Sequence, residues 1–452
     1  MIGATGKNWR GESRALLRLA GPLVVNNLAV AGMNFADAVM AGRLGVEALA
    51  AVAVGGSVWF LFFTLGLGLL MAISPISARH FGAGNPELIG RYTRQGIYIG
   101  IALGIPIILI AQFLVEPLLT VIGIDAAFRD QAIGYVAAVT WGAPGIFIFL
   151  ALRFTTEGIG HTRPIMFTSV FALTCNVFLN YVLMFGKFGA PALGVVGCGL
   201  ASAASMWLVA LALAAYIFIS PRYRPLKIFS RVAPLRPAVL REIVILGFPI
   251  AVTITAEAGL FNAVSILVGT RGPLITAAHQ IAINFASTMF MVPLAMSSAI
   301  TIRVGQSLGA GNLRAARFTG VVGIFLCGFF MTCSAAVLLI FRDAVVSVYT
   351  SDTSVKGIAI GLLLMAAIFQ VVDGIQIGAA GALRGYKDTR MPMVINTFAF
   401  WVLAFPAAYL AAVTYKSPPS YIWGSFVVGL SVAAALLTWR YQRVSKTYEL
   451  PT

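Results

Sequence analysis

Long apolar stretches, separated by short polar connections, make up almost the whole chain. Each stretch is about 20 residues or longer, which is the length that an α-helix needs to cross the hydrocarbon core of a bilayer. Twelve of them can be delimited, and they predict membrane-spanning helices at residues 16–41, 48–76, 97–122, 132–152, 164–185, 197–219, 243–269, 275–301, 318–341, 357–382, 392–414 and 420–439. Prolines within or at the ends of these stretches are expected to bend helices, at Pro22, Pro106, Pro144, Pro249, Pro293 and Pro406. The pattern predicts an all-α membrane protein with twelve transmembrane helices.

The composition agrees with this pattern and excludes a soluble protein. Of the 452 residues, 60% are hydrophobic and only 10% are charged, whereas soluble chains carry about 25% charged residues. The four cysteines form no CxxC or Cys/His spacing, so they indicate packing rather than a disulfide or a zinc site. The first apolar stretch carries a carboxylate and continues to about residue 41, which favours a retained first helix over a cleaved signal peptide.

The basic residues fall mainly on one side of the predicted membrane. If both termini are cytoplasmic, the inner segments hold twenty-four of the 31 Lys and Arg residues and the outer loops hold seven. This asymmetry obeys the positive-inside rule. We therefore expect a multi-pass protein of the cell (inner) membrane with cytoplasmic termini, and the formal charge of +16 requires no nucleic-acid partner.

The two halves of the sequence resemble each other weakly at one constant shift. Pro22 matches Pro249, and the sequence GAGN at 82–85 recurs at 309–312 with the same shift. The repeat predicts an N-terminal six-helix lobe (1–219), a basic cytoplasmic linker (220–242) and a C-terminal six-helix lobe (243–452). An even number of spans per half gives both lobes the same orientation, so a pseudo-two-fold axis along the membrane normal should relate the two bundles. Two such bundles with a site between them are typical of alternating-access transporters.

Three carboxylic acids lie within predicted spans, which is unusual. Asp37 is in the first span, Glu257 in the seventh and Asp373 in the tenth, and no Lys or Arg within those spans is near enough in sequence to be an obvious partner. An ionised carboxylate alone in hydrocarbon costs several kcal/mol, so each must be protonated, bind a cation or face water. A structural acid, hydrogen-bonded between helices, is the alternative for each. Together the three indicate reversible binding of H⁺ or Na⁺, and the residues do not decide between these ions.

Other polar and aromatic side chains could complete such a site. Asn176 and Asn180 are four residues apart and therefore share one face of the fifth span. Further amides lie in the spans at Gln280, Asn284, Gln370 and Gln376. Aromatic rings and methionines attract flat apolar cations, which makes Phe261, Phe285 and Met289 candidate substrate-binding residues, although such side chains more often face lipid or the core.

Several segments together resemble the multidrug and toxic compound extrusion (MATE) family, NorM branch. They are Asn34–Gly42, Glu257-Ala258, Asn176–Tyr181, the glycines from Gly186 to Gly199, and Ala382-Leu-Arg-Gly-Tyr-Lys387. The resemblance covers about residues 15 to 440. It implies two six-helix bundles that export organic cations, such as dyes and fluoroquinolone-like amphiphiles, in exchange for inward Na⁺ or H⁺.

The resemblance also implies roles for particular residues. Asp37, Asn176 and Asn180 correspond to a polar site of the N-lobe, with Asp37 also facing substrate. Glu257 and Asp373 correspond to the cation site of the C-lobe and would bind the metal ion if the coupling ion is Na⁺. Asp352 corresponds to an acid near bound drug. Position 184 is Met where the DinF branch has an aspartate, which favours the NorM branch and leaves the coupling ion open.

Other functions fit the sequence less well. A lipid-linked oligosaccharide flippase of a related two-lobe fold would bind an anionic substrate and should present arginines within its spans. A prenyl transferase would need a DDxxD motif, which is absent. Transporters of the major facilitator type also have two six-helix halves, but the motifs that resemble the MATE family argue against that assignment. We therefore expect a transporter, not an enzyme, that acts as a monomer in the lipid bilayer on small organic cations and uses no cofactor.

Overall fold

A computed structural model describes residues 8–230 and 234–449. In these ranges the protein is almost entirely α-helical and has no β-strand. Twelve helices are long and apolar enough to cross a membrane, and we number these spans in chain order: Trp9–Leu44, Val46–Gly82, Pro86–Phe113, Ala126–Gly158, Arg163–Phe185, Gly194–Ile219, Pro237–Gly269, Pro273–Gly309, Leu313–Tyr349, Thr353–Gly385, Arg390–Thr414 and Pro419–Thr447. The predicted twelve-helix fold class is confirmed. Lys7 and Arg231, which we counted as cytoplasmic basic residues, lie outside the described residues.

Most of the spans are longer than the apolar stretches that predict them, because each helix continues into polar residues at its ends. The third span differs in another way. It ends at Phe113, and Val115–Ile122 forms a separate short helix, whereas one helix was predicted over 97–122. Pro117 lies in the first turn of the short helix and cannot donate a backbone hydrogen bond to Phe113, which favours the break at this point.

Two of the predicted proline sites coincide with interruptions of regular helix. In the fourth span a 3₁₀ turn at Thr140–Gly142 separates Ala126–Val139 from Ala143–Gly158, and Pro144 is the second residue of the latter helix. In the eleventh span Pro406 lies between two π-helical segments, Phe398–Ala404 and Leu410–Thr414. The remaining four prolines lie inside continuous helices, at Pro22, Pro106, Pro249 and Pro293.

The described chain forms two compact units, which we call the N unit and the C unit. The N unit is Pro22–Ala251, and the C unit combines the described residues up to Gly21 with those from Val252 onwards. The division therefore falls inside the first and seventh spans rather than in the connection between the sixth and seventh. The lobes 1–219 and 243–452, with the linker 220–242, stay a prediction.

Two glutamates near helix starts make contacts that agree with this division. In the C unit the buried carboxylate of Glu12 accepts hydrogen bonds from Arg303 Nε at 2.9 Å and from Thr319 Oγ1 at 2.7 Å. In the N unit the hydroxyl of Tyr92 donates to the carboxylate of Glu242, near the start of the seventh span. The shift that relates the two GAGN sequences also takes Tyr92 to Thr319, so equivalent positions of the repeat bind a glutamate in both units.

The repeated GAGN sequence adopts the same turn in each unit. Its second glycine has a left-handed backbone conformation, with φ of 73° at Gly84 and 75° at Gly311. The asparagine N–H donates to the carbonyl five residues earlier in both copies, from Asn85 to His80 and from Asn312 to Ser307. A glycine is needed at this position because L side chains rarely adopt such φ values. The repeat is therefore present in local geometry as well as in sequence.

Candidate functional site

The N unit contains a closed ring of hydrogen bonds around Asp37. Asn180 Nδ2 donates to Asp37 Oδ1 at 2.5 Å and to Asn176 Oδ1 at 3.2 Å. Asn176 Nδ2 donates to Ser202 Oγ at 3.4 Å, and Ser202 Oγ donates to Asp37 Oδ2 at 3.1 Å. All four side chains are at least nine-tenths buried. The structure thus brings together the three residues that the sequence analysis grouped on this side.

Two features of the ring could not be predicted from the sequence. Ser202 is on the sixth span, and Cys198, one turn earlier on the same helix, also hydrogen-bonds to Asp37. Both are small residues in an Ala- and Gly-rich helix, where they resemble ordinary packing residues. Asn180 Oδ1 is buried and has no hydrogen-bond partner in the part of the chain that the structure describes. A free acceptor beside a carboxylate is a place where a cation or a protonated group could bind.

The C unit holds the other two acids. Asp373 is only 3% exposed, on the tenth span, and Glu257 is partly buried on the seventh. The two are close enough for their charges to interact, and the positive charge of Arg384 acts on Glu257. Asp373 Oδ1 has no hydrogen-bond partner among the described residues.

The expectation that these acids have no basic neighbour is therefore wrong for Glu257. Arg384 lies three spans further along the chain from Glu257, so the residues next to Glu257 in sequence do not indicate it. It is in the last turn of the helix Thr353–Gly385 and is 9% exposed. A partly buried arginine of the fourth span, Arg153, pairs with Glu157 at 2.7 Å. Both spans thus contain a basic residue near one end.

The predicted substrate-binding residues differ in their surroundings. Phe261 packs against the rings of Phe369 and Phe426, with centroids 5.9 and 5.1 Å away. Phe285 is partly buried against the same apolar core, and Met289 is partly exposed. Asp352 is exposed and caps the tenth span, because its carboxylate accepts from the backbone N–H of Ser354 at 2.8 Å. These roles stay predictions.

Comparison with known proteins decides the family. The profile of the MatE family matches residues 22–182 and 249–410, so its two copies begin at Pro22 and Pro249, the pair that the repeat relates. The chain is 37% identical over 451 residues to the multidrug resistance protein MdtK of Edwardsiella ictaluri, covering 98% of each chain. It is 35% identical to the multidrug resistance protein PmpM of Pseudomonas aeruginosa, covering 98% of this chain and 94% of the relative. The chain belongs to the MATE family.

Solved structures of MATE proteins have the same fold. The eukaryotic MATE transporter AtDTX14 superposes with a TM-score of 0.86 at 23% identity, over 97% of this chain and 98% of the other. An outward-facing multidrug resistance MATE transporter superposes with a TM-score of 0.87 at 22% identity, over 96% and 97%. This MATE protein is a transporter rather than an enzyme and a multi-pass protein of the bacterial inner membrane.

The two units of this MATE protein differ in chemistry although they share a fold. The N-unit carboxylate is surrounded by neutral donors from Asn180, Ser202 and Cys198, which stabilise a single negative charge. The C unit has two carboxylates and one guanidinium. Because each cluster carries one net negative charge when its acids are ionised, each can accept one monovalent cation without leaving an excess charge in a buried place.

Proposed function

We propose that this MATE protein exports organic cations in exchange for a monovalent cation that moves inward. Its relatives in Edwardsiella and Pseudomonas are named as multidrug resistance proteins, which supports a broad range of small organic substrates. The NorM-branch assignment, the inside orientation of both termini and a monomeric state are part of the proposal. They rest on the sequence motifs and on the distribution of basic residues.

The observation that carries the proposal is the charge of the C-unit cluster. The charges of Glu257 and Asp373 act on each other, and the single positive charge of Arg384 acts on Glu257, so the two acids together outnumber the one base. A buried net charge is costly, so a proton or Na⁺ should occupy the pair for much of the transport cycle. Binding of one monovalent cation makes the net charge of the cluster zero, and release of that cation restores the single negative charge. This is the property that a coupling site needs.

Asp37 gives the N unit one negative charge, equal to the net charge of the C-unit cluster. Its ring of neutral donors holds the carboxylate in one orientation while leaving Asn180 Oδ1 free. An organic cation, or the coupling ion itself, would meet one carboxylate and one amide oxygen there. We assign Asp37 to substrate recognition and coupling, with Asn176 and Ser202 as the residues that orient it.

The alternative function is that of a lipid-linked oligosaccharide flippase, and arginines within the spans would favour it. Arg384 is buried and Arg153 is partly buried, as that function requires, but each already has an acidic neighbour. Glu157 pairs with Arg153 at 2.7 Å, and the charge of Arg384 acts on Glu257. Neither arginine leaves a net positive charge for an anionic headgroup, so the structure favours the cation exporter.

The proposal is tested with the purified protein in lipid vesicles loaded with ethidium. A Na⁺ gradient and a pH gradient are imposed separately, and efflux is followed by fluorescence. We expect one of the two gradients to drive efflux and an ionophore that collapses that gradient to stop it. Efflux that is unchanged by either gradient would contradict coupled antiport, and protein-free vesicles loaded with ethidium provide the background.

A further inference from the structure

One buried face of the tenth span carries three polar residues, Asp373, Gln376 and Arg384, with Ala380 between the last two. Asp373, Gln376, Ala380 and Arg384 are spaced by three, four and four residues, so they follow one another along one side of the helix. The face rises about 16 Å from Asp373 to Arg384. All four side chains are buried, with exposures of 3%, 1%, 6% and 9%. This buried face of the tenth span therefore leads from Asp373, one member of the acid pair, to the end of the helix.

The amide of Gln376 has no hydrogen-bond partner. Neither its Nε2 nor its Oε1 is bonded to any described residue, and the same holds for Asp373 Oδ1 one turn earlier. Gln370 lies almost one turn before Asp373. Its Nε2 donates to none of the residues that the structure describes, whereas its Oε1 accepts from Ser334 at 2.8 Å. Four unpaired polar atoms thus occur within about 9 Å of helix rise.

Buried polar atoms without hydrogen-bond partners reduce the stability of the folded protein. Each costs about 1–3 kcal/mol if nothing binds it, and proteins normally fill such places with ordered water. An apolar side chain at position 376 would avoid this cost, because the amide makes no hydrogen bond to a described residue of another helix. The amide of a glutamine both donates and accepts, as water does. Its chemistry matches water better than it matches a resident ion.

We propose that Gln376 holds water between the acid pair and the end of the span that carries Arg384. The water forms an internal path by which a proton or hydrated Na⁺ reaches and leaves Asp373 and Glu257. Gln376 is a positioning residue in this path, since it acts through water and not on the organic substrate. The ion-path part of this inference rests on the proposed function, whereas the presence of water does not.

Water at position 376 can be detected by cysteine labelling. Gln376→Cys is treated in membranes with a small hydrophilic methanethiosulfonate reagent, and mass spectrometry locates the label. The matched control is Ala367→Cys, nine residues earlier and hence half a turn round the helix, in the apolar core at 3% exposure. We expect position 376 to react at least tenfold faster than position 367. Equal, slow labelling of the two would overturn the proposal.

The path is tested by the kinetics of Gln376→Leu. We expect gradient-driven ethidium efflux to slow about tenfold while the affinity for ethidium stays within twofold of the wild type, and Gln376→Asn to recover part of the rate. Gln442→Leu, at an exposed glutamine near the end of the twelfth span, is the control. If Gln376→Leu transports at the wild-type rate, the path is wrong. If no gradient drives the wild type but position 376 still labels, the proposed function fails and the water site stands.

Discussion

Asp373→Asn and Glu257→Gln are each expected to abolish ion-driven efflux of ethidium while the protein still inserts and folds. Both substitutions keep the shape of the side chain and remove one negative charge from a cluster that contains Arg384. The cluster then has no net charge left for a cation. Removing one partner from a buried charge pair costs about 2–5 kcal/mol, which weakens cation binding by about 30-fold or more at 1.4 kcal/mol per tenfold change.

The measurement is the initial rate of efflux from vesicles with the effective gradient imposed. Asp343→Asn is the matched control, because this acid lies at the far end of the ninth span with 71% of its side chain exposed. It should transport like the wild type. If ion-driven efflux persists in both the Asp373 and the Glu257 variants, the acid pair is not the coupling site.

Asp37→Asn is expected to produce the second-largest loss of efflux, and this loss should be larger for cationic than for uncharged substrates. The asparagine oxygen can still accept the hydrogen bond from Asn180, so the ring is only partly lost, but the negative charge is gone. A hydrogen bond to a charged group is worth about 1.5–3 kcal/mol, or roughly 10- to 150-fold in affinity. We therefore expect efflux of a permanently cationic dye to fall at least tenfold, and efflux of an uncharged substrate to fall much less.

Ser205→Ala gives the comparison for this variant. Ser205 lies on the same helix as Ser202, but its hydroxyl donates to the backbone carbonyl of Ala201 at 2.7 Å, outside the ring. Its removal should leave transport of both substrates unchanged. Equal losses for the cationic and the uncharged substrate in Asp37→Asn would show that the residue acts through folding rather than through its charge.

The fold was predictable because hydrophobic length alone identifies membrane spans, and all twelve occur. The repeat was predictable from a few matched residues, since the GAGN turn requires the same left-handed glycine twice. The division into units was not. It agrees with contacts between distant residues, such as the hydrogen bonds of Glu12 with Arg303 and Thr319 of the eighth and ninth spans, and no local sequence pattern predicts such a contact.

The candidate site was predictable to the extent that its chemistry is unusual for a membrane. Acids in apolar helices are conspicuous, and the spacing of Asn176 and Asn180 places them on one face. Ser202 and Arg384 were missed for a different reason. A serine among alanines and an arginine at a helix end are common in membrane proteins. Only the packing of distant helices shows that Ser202 hydrogen-bonds to Asp37 and that the charge of Arg384 acts on Glu257.

The claim that buried acids exchange a small cation for an organic one is tested most directly by measuring cation release when drug binds. Purified protein in weakly buffered detergent is mixed with ethidium, and released H⁺ or Na⁺ is recorded with an indicator dye or an ion-selective electrode. The wild type should release the ion that drives efflux, and the double variant Glu257→Gln/Asp373→Asn should release none while Asp343→Asn behaves like the wild type. Ethidium binding to the wild type without release of either ion, or undiminished release from the double variant, would contradict the account.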